Sequence, residues 1–205
     1  MEKIKKLRKI FDREKIDGYI IPKNDEFFGE YTPNHNDRLN FISNFSGSYG
    51  FALILKNRNY LFVDGRYTLQ ANNQSGKFFK IITIPNKLPS DILGGKKLSI
   101  GFDPSLFTKK TLSILFKDSK CEYKPLTKNL IDEVWYRNIK KDKKKFFTLP
   151  SSSVSEKWQS KITKISNFLN KNKSDFLFIT ASENNAWLLN IRGRDTDYTP
   201  MPYSY

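Results

Sequence analysis

Apolar residues in the first half of the chain recur at two spacings, one typical of helices and one of strands. Ile4, Leu7 and Phe11 fall on one stripe of a charged segment, so residues 2–15 are predicted to form an amphipathic helix. The apolar runs 51–55 and 60–63 enclose a short polar tip, which is typical of a β-hairpin. The same criteria predict strands at 19–21, 78–84, 98–102 and 121–124, and helices at 38–45, 68–73, 89–93, 104–118 and 129–135.

Helices and strands alternate along this half, and their order indicates the class of fold. One adjacent pair of strands forms a hairpin, whereas helices separate most of the others. The sequence therefore predicts an α/β fold in which a mixed parallel and antiparallel sheet is flanked by helices, rather than a purely parallel doubly wound sheet. Asp103 and Pro104 are predicted to start the helix at 104–118, as its N-cap and its first helical residue.

The second half begins with a change in composition. Residues 138–155 are first strongly basic and then rich in serine and proline, as expected of a linker between a first domain at 1–137 and a second at 156–205. The second domain is predicted to contain a helix along Trp158, Ile162, Ile165 and Phe168, a buried strand at 176–179 and a helix at 186–190. About 50 residues around one strand leave its backbone groups without partners, so we expect an incomplete domain of similar α/β type.

The charge of the chain raises the possibility of a nucleic-acid partner. Its 36 Lys and Arg exceed its 21 Asp and Glu, for a formal net charge of +15, which attracts polyanions at low salt. The basic residues are spread along the chain without zinc-finger spacing, an arginine-rich helix or an aromatic RNA-binding signature. We expect solvated surface charge and no specific nucleic acid; the densest basic run, 140–145, lies in the predicted linker.

The sequence also bears on membranes and on the cellular compartment. No apolar run reaches the roughly 18–20 residues of a membrane span. The N-terminus lacks the continuous apolar core of a signal peptide. Cys121 is the only cysteine, which excludes an intrachain disulfide. We therefore expect a cytoplasmic protein that does not enter a membrane.

Candidate catalytic chemistry is sparse. His35 is the only histidine and lies in a polar loop, where a solvated side chain is the simplest expectation. No cysteine or second histidine stands at metal-ligand spacing, and no glycine-rich phosphate loop precedes a helix. A serine nucleophile would have only His35 as its base. The sequence therefore predicts neither catalytic nor metal-binding residues in this chain.

Five segments carry an ordered pattern. They are Asp37-Arg38 with Phe41, Ser43, Phe45-Ser46-Gly47-Ser48 and Gly50; Val63-Asp64-Gly65-Arg66-Tyr67 with Gln70-Ala71; Gly101-Phe102-Asp103-Pro104; Asn129-Leu130-Ile131-Asp132-Glu133-Val134-Trp135; and Ala186-Trp187-Leu188-Leu189-Asn190-Ile191-Arg192-Gly193 with Asp195, Pro200 and Tyr203-Ser204-Tyr205. Together they resemble the creatinase-type N-terminal domain of aminopeptidase P, followed by the start of the middle domain of its three-domain forms. The likeness spans nearly the whole chain in the correct order.

The resemblance implies a homodimeric Xaa-Pro aminopeptidase, which removes an N-terminal residue preceding proline from a peptide. In that family a C-terminal domain binds two divalent metals, usually manganese, which activate a water molecule. No ligand segment of that domain matches this chain. The resemblance therefore implies a non-catalytic N-terminal part that binds no cofactor itself.

Two roles are open for the matched loops. Asp64 is placed to cap the following helix, Gly65 to permit a tight turn, Arg66 to pair with a carboxylate and Tyr67 to pack on the sheet. The resemblance offers a second role, because in relatives the N-terminal domain of one subunit approaches the catalytic site of the other. The residues that would form such an active-site entrance or dimer contact are Arg38, Phe45, Ser46, Gly47, Ser48, Arg66 and Tyr67.

Two other functions remain as alternatives. The chain would act as a stand-alone interaction module with this fold and no catalytic activity if another polypeptide completed its second domain. Binding of nucleic acid through the positive charge ranks last, because nonspecific attraction weakens steeply with added salt.

Overall fold

The computed structural model describes residues 2–137 and 144–205, and the chain divides into two compact units. Unit 1 comprises Met1–Glu26 and Asn34–Ile139, and unit 2 comprises Phe27–Pro33 and Lys140–Tyr205. A short excursion of the first half, 27–33, therefore belongs to the second unit.

A six-stranded sheet forms the centre of unit 1. Its strands are β1 (Gly18–Pro22), β2 (Phe51–Leu55), β3 (Asn59–Asp64), β4 (Lys80–Ile84), β5 (Ser99–Phe102) and β6 (Glu122–Pro125), in the order β4-β3-β2-β1-β5-β6. The pairs β1–β2 and β2–β3 are antiparallel, whereas β3–β4, β1–β5 and β5–β6 are parallel. The predicted mixed sheet and the hairpin are confirmed.

Helices cover both faces of this sheet. They are α1 (Glu2–Glu14), α2 (Arg38–Ser43), α3 (Thr68–Ser75), α4 (Pro89–Leu93), α5 (Lys109–Leu115) and α6 (Leu130–Val134). One hydrophobic cluster joins α1, α2, α3 and α6 to one face, and a second joins α4 and α5 to the other. On β1, Tyr19 and Ile21 belong to the first cluster and Ile20 to the second, as side chains alternate along a strand. Burial on both faces explains the continuous apolar runs of the central strands.

The predicted helix at 104–118 is wrong at both ends. Asp103 accepts hydrogen bonds from the backbone N–H and the hydroxyl of Ser105, so it closes a turn and does not cap a helix. The turn buries Leu106 and Phe107 in the second cluster before α5 begins. Thr108 is the actual N-cap, because its hydroxyl oxygen accepts the N–H of Thr111 at 3.0 Å. The helix therefore starts after the buried pair Leu106 and Phe107 and not at the locally favoured Asp103-Pro104.

Unit 2 contains two helices and a small sheet among the described residues. These are β7 (Phe147–Thr148), α7 (Trp158–Lys171), α8 (Ser182–Leu189) and β8 (Ile191–Arg192), with β7 and β8 antiparallel. The helix along the α7 stripe was predicted; the helix predicted at 186–190 is observed as α8, which begins earlier, at Ser182, and ends at Asn190 in the left-handed conformation. Lys161 on α7 is buried and donates to the carbonyl of Trp187 and to the side-chain oxygen of Asn190, at 2.6 Å each.

The predicted buried strand at 176–179 is absent. The segment is not in a strand, and 91% of Phe176 and 77% of Phe178 is exposed. A strand requires a neighbour for its backbone N–H and C=O groups, and β7 and β8 pair only with each other in the part of the chain that the structure describes. An apolar run alone does not supply that neighbour.

The predicted linker is described only in part. Residues 138–143, with most of the basic run 140–145, lie outside the described residues, whereas Lys144 and Lys145 are exposed. The remainder holds β7 and a turn of 3₁₀ helix at Ser151–Ser153. Local structure therefore begins well before residue 156.

Candidate interaction surface

Two loops of the matched pattern meet at one edge of the sheet in unit 1. Residues 44–50 lead from α2 into β2, and residues 64–67 begin at the last residue of β3. Because β2 and β3 are antiparallel, with Phe51 opposite Phe62, the start of one strand lies beside the end of the other. The hairpin therefore brings together two motifs that are separate in the sequence.

Aromatic packing holds the two loops together from below. Phe45 is fully buried, and the ring of Tyr67 meets it edge-on with the centroids 5.8 Å apart. Gly47 fills the remaining space, since a Cβ there would lie 2.2 Å from Cζ of Phe45 and 2.9 Å from Cδ1 of Tyr67. The tight packing, not an unusual backbone angle, explains the glycine.

Hydrogen bonds connect the same loops at the surface. The hydroxyls of Ser48 and Tyr67 lie 2.7 Å apart. Gln70 and Gln74 on α3 each donate to the hydroxyl of Ser46, at 3.0 and 2.9 Å, and the backbone N–H of Ser46 donates to Gln74. The two glutamines were not predicted as site residues, although their i, i+4 spacing on a helix that follows the second motif was a usable signal.

Arg66 is the most exposed charge of this group. Its side chain is 72% exposed and binds the carboxylate of Asp64, which also caps the turn by accepting the N–H of Arg66 at 2.9 Å. The hydrogen bond from the Arg66 side chain holds the pKa of Asp64 below its ordinary value. The guanidinium carbon lies 5.2 Å from the ring centre of Tyr67. These contacts confirm the predicted cap, the carboxylate pair and the packed tyrosine.

Gly65 does not have the predicted role. Its φ is not positive, and a Cβ at this position would meet no atom within 4 Å. The turn therefore tolerates a side chain, because the cap by Asp64 and not the freedom of a glycine shapes it.

Arg38 lies apart from the loop contacts. Only 3% of the residue is exposed, and it binds both oxygens of Asp132 and one of Glu26. Burial lowers the pKa of this guanidinium, but the hydrogen bonds to the two carboxylates outweigh burial and raise the pKa above its ordinary value. Its described contacts belong to an internal ion-pair cluster.

Most of the loop residues that meet here are exposed. Ser46, Ser48, Tyr49, Arg66 and Tyr67 form what we term the loop surface; Tyr49 adds an aromatic ring that is 53% exposed and was not predicted. It includes one arginine and two tyrosines, which are residue types enriched at protein–protein interfaces. His35 is exposed in a separate segment, as expected.

Residues 2–137 and 144–205 bear on two questions, metal binding and membrane insertion. No group of three or more His, Cys, Asp or Glu side chains in these ranges is placed to hold a metal ion. None of the helices described there has the length and apolar character needed to cross a membrane.

Comparison with protein families decides the identity of this fold. Two models of the creatinase/prolidase N-terminal domain match the chain, one over residues 3–134 and the other over 138–205. The chain belongs to this family. The first match includes the whole sheet of unit 1, so the creatinase-like fold expected from the motifs is confirmed.

Relatives of this family member carry the name Xaa-Pro aminopeptidase. One from Caenorhabditis elegans is 31% identical over 100% of this chain and 36% of its own length. A probable Xaa-Pro aminopeptidase P from Laccaria bicolor is 32% identical over 100% of this chain and 33% of its own. The chain thus corresponds to the N-terminal part of such family members and spans about a third of the length of the curated relatives it matches.

Solved structures agree with this placement. The X-prolyl aminopeptidase from C. elegans, described as a cytosolic enzyme with a di-nuclear active site, has a TM-score of 0.86 at 29% identity, over 99% of this chain and 36% of that chain. An Xaa-Pro dipeptidase from Bacillus anthracis has a TM-score of 0.51 at 26% identity, over 83% and 43%. The backbone of this chain is therefore similar to part of the backbone of each of these two peptidases.

Proposed function

We propose that this chain is the non-catalytic N-terminal part of an Xaa-Pro metallo-aminopeptidase, an enzyme that releases an N-terminal residue preceding proline. The observation that carries the proposal is the likeness of 99% of the chain to the C. elegans enzyme, with a TM-score of 0.86. The chain supplies scaffold, a dimerisation surface and part of the entrance to the active site. Its substrate partner is a peptide with proline at the second position.

In this proposal the catalytic reaction takes place in a different part of the protein. Two divalent metals, manganese by family resemblance, are held by a catalytic domain outside these 205 residues. The residues described here contain no fitting ligand group, and no step of the reaction is assigned to them. We propose a cytoplasmic location, which the description of the C. elegans neighbour as cytosolic supports, and a homodimer, which rests on the family resemblance alone.

Different site residues contribute in different ways. Ser46, Ser48, Arg66 and Tyr67 face outward on the loop surface and make the contact with the partner subunit or its active-site entrance. Phe45 and Gly47 shape that surface from below. Arg38 is buried and holds the segment from which α2 starts. We retain the division into 1–137, a linker at 138–155 and 156–205 as part of the proposal.

A direct assay tests whether this chain alone hydrolyses Xaa-Pro peptides. The purified 205-residue chain is incubated with Mn²⁺ and a peptide that begins Xaa-Pro, beside the complete C. elegans enzyme as a positive control. We expect release of the first residue only by the control. Turnover that grows in proportion to this chain, after contaminating peptidases are excluded, contradicts the proposal.

A second experiment tests the loop surface. In a protein that joins this chain to its catalytic domain, Arg66→Gln with Tyr67→Ala should shift the dimer toward monomer or raise KM for longer peptides. Arg58→Gln is the matched control, since it removes an exposed arginine at the other end of the β2–β3 hairpin. Equal sedimentation and kinetics in all variants would rule out this role for the loops.

One observation favours the alternative of a stand-alone interaction module. The side chains of Phe176 and Phe178 are largely exposed in unit 2, where a partner polypeptide could cover them. A stable, monodisperse 205-residue product in cells supports that alternative, whereas rapid proteolysis beyond about residue 150 argues against it.

A further inference from the structure

Charged residues of unit 1 flank the segment 27–33, which belongs to unit 2. We term this segment the excursion; unit 1 ends at Glu26 before it and resumes at Asn34 after it. The residues on either side of the excursion, 23–26 and 36–38, are termed the neck, and all of them belong to unit 1.

Side-chain contacts connect the two sides of the neck. Lys23 Nζ lies 2.5 Å from Asp37 Oδ2, Asn36 Nδ2 lies 3.4 Å from Asp25 Oδ2, and Arg38 Nη2 lies 2.6 Å from Glu26 Oε1. The Lys23–Asp37 pair is largely shielded from solvent, with side-chain exposures of 12% and 7%. Ion pairs that are this well buried are screened far less than exposed ones.

The end of α6 joins the same group. Asp132 receives two hydrogen bonds from Arg38, at 2.8 and 2.9 Å, and Arg137 Nη2 lies 2.5 Å from the same carboxylate. Arg137 also donates to the backbone carbonyl of His35 at 2.5 Å. Arg137 Nη1 also lies 3.4 Å from the side-chain oxygen of Asn36, so α6 and Arg137 are both bound to residues 35–38.

Arg38 is the centre of this cluster. A buried guanidinium is costly unless carboxylates pair with it, and loss of one partner leaves an uncompensated charge. Paired carboxylates bind it in a forked geometry that fixes direction as well as distance. Its Nη1 has no acceptor among the described residues, so the contacts of the other two nitrogens have to hold it.

We propose that this cluster is a conformational anchor. It holds residues 23–26 against residues 36–38 and binds α6 to the same place on unit 1. The hydrophobic clusters on the sheet are separate from these contacts, since they join apolar side chains of the strands and helices. Removal of an ion pair from this cluster should let residues 23–26 and 36–38 separate more often, while the sheet of unit 1 stays folded.

Limited proteolysis of the full 205-residue chain tests the anchor. Chymotrypsin can cut after Phe27, Phe28 or Tyr31 in the excursion, and mass spectrometry distinguishes these products from cuts after buried Phe51 or Phe62 in the sheet. For Asp132→Asn we expect cleavage in the excursion to accelerate on the order of tenfold, as for the loss of one charge-assisted hydrogen-bonded pair. Cleavage in the sheet should stay at its original rate.

Matched variants separate the anchor from general destabilisation. Glu133→Gln removes a neighbouring carboxylate of α6 that binds Arg13 instead, and it should leave cleavage of the excursion unchanged. Arg137→Gln removes only one of the partners of Asp132, so it should accelerate cleavage of the excursion less than Asp132→Asn does. If Asp132→Asn does not fold, Arg137→Gln tests the proposal in its place. Unchanged excursion cleavage in the folded variants, or equal acceleration in the sheet, overturns the proposal.

Discussion

Substitution of Gly50 by alanine should destabilise unit 1 far more than the removal of one glycine suggests. Gly50 leads into β2 with φ at 156°, an angle that side chains rarely allow, and a Cβ there would lie 2.7 Å from the carbonyl oxygen of Phe62. That oxygen belongs to β3, which is held between β2 and β4 and has little freedom to move. Overpacking and backbone strain each cost about 1–3 kcal/mol, so we expect a loss of about 3 kcal/mol.

Urea unfolding followed by the fluorescence of Trp135 measures this loss in unit 1. Trp135 stacks on Phe41 with the ring centroids 4.7 Å apart. The half-exposed Trp158 and Trp187 of unit 2 are replaced by phenylalanine in every sample, so that a single tryptophan reports. With an m-value of about 2 kcal/mol/M, the midpoint should fall by about 1.5 M.

Gly65→Ala is the control for this prediction. It makes the same chemical change in the other motif, where the added Cβ meets no atom within 4 Å. Its midpoint should stay unchanged or rise slightly, because alanine restricts the unfolded chain by about 0.4–1 kcal/mol. Equal midpoints for the two variants would refute the assignment of close packing to Gly50 and of open space to Gly65.

Three further predictions concern single contacts. Ser75→Ala should cost about 1 kcal/mol in urea unfolding, because the buried hydroxyl donates to the carbonyl of Ser43 at 2.9 Å. Lys161→Met should destabilise unit 2 by about 1–3 kcal/mol in thermal melts, because it removes the buried ammonium that donates to the carbonyl oxygen of Trp187 and to Oδ1 of Asn190; an unchanged melt would contradict this. Arg66→Gln should raise the pKa of Asp64, followed by NMR titration. The pKa of Asp64 is lower in the folded state than in the unfolded state. The ionised carboxylate therefore stabilises the fold at pH values above its unfolded-state pKa, and this stabilisation is lost as the pH falls through its folded-state pKa. In the variant, the free energy of unfolding should depend less on pH in this acidic range.

The parts of the site that followed from sequence are those governed by near neighbours. Asp64 caps the turn that follows it, and the polar tip at 56–58 closes a hairpin, because both effects act over a few residues. Arg38 illustrates the limit, since its burial depends on Asp132, which is 94 residues away. No local pattern distinguishes that arginine from an exposed one on the surface of a helix.

The sequence by itself determined the central strands, the main helices and the family, because apolar periodicity and ordered motifs are properties of neighbouring residues. Tertiary structure decided which motif glycine is indispensable and where the helix after Asp103 starts, since each depends on atoms from distant strands or loops. It also decided against a strand at 176–179. A strand exists only through hydrogen bonds to a neighbour, and an apolar run does not contain that neighbour.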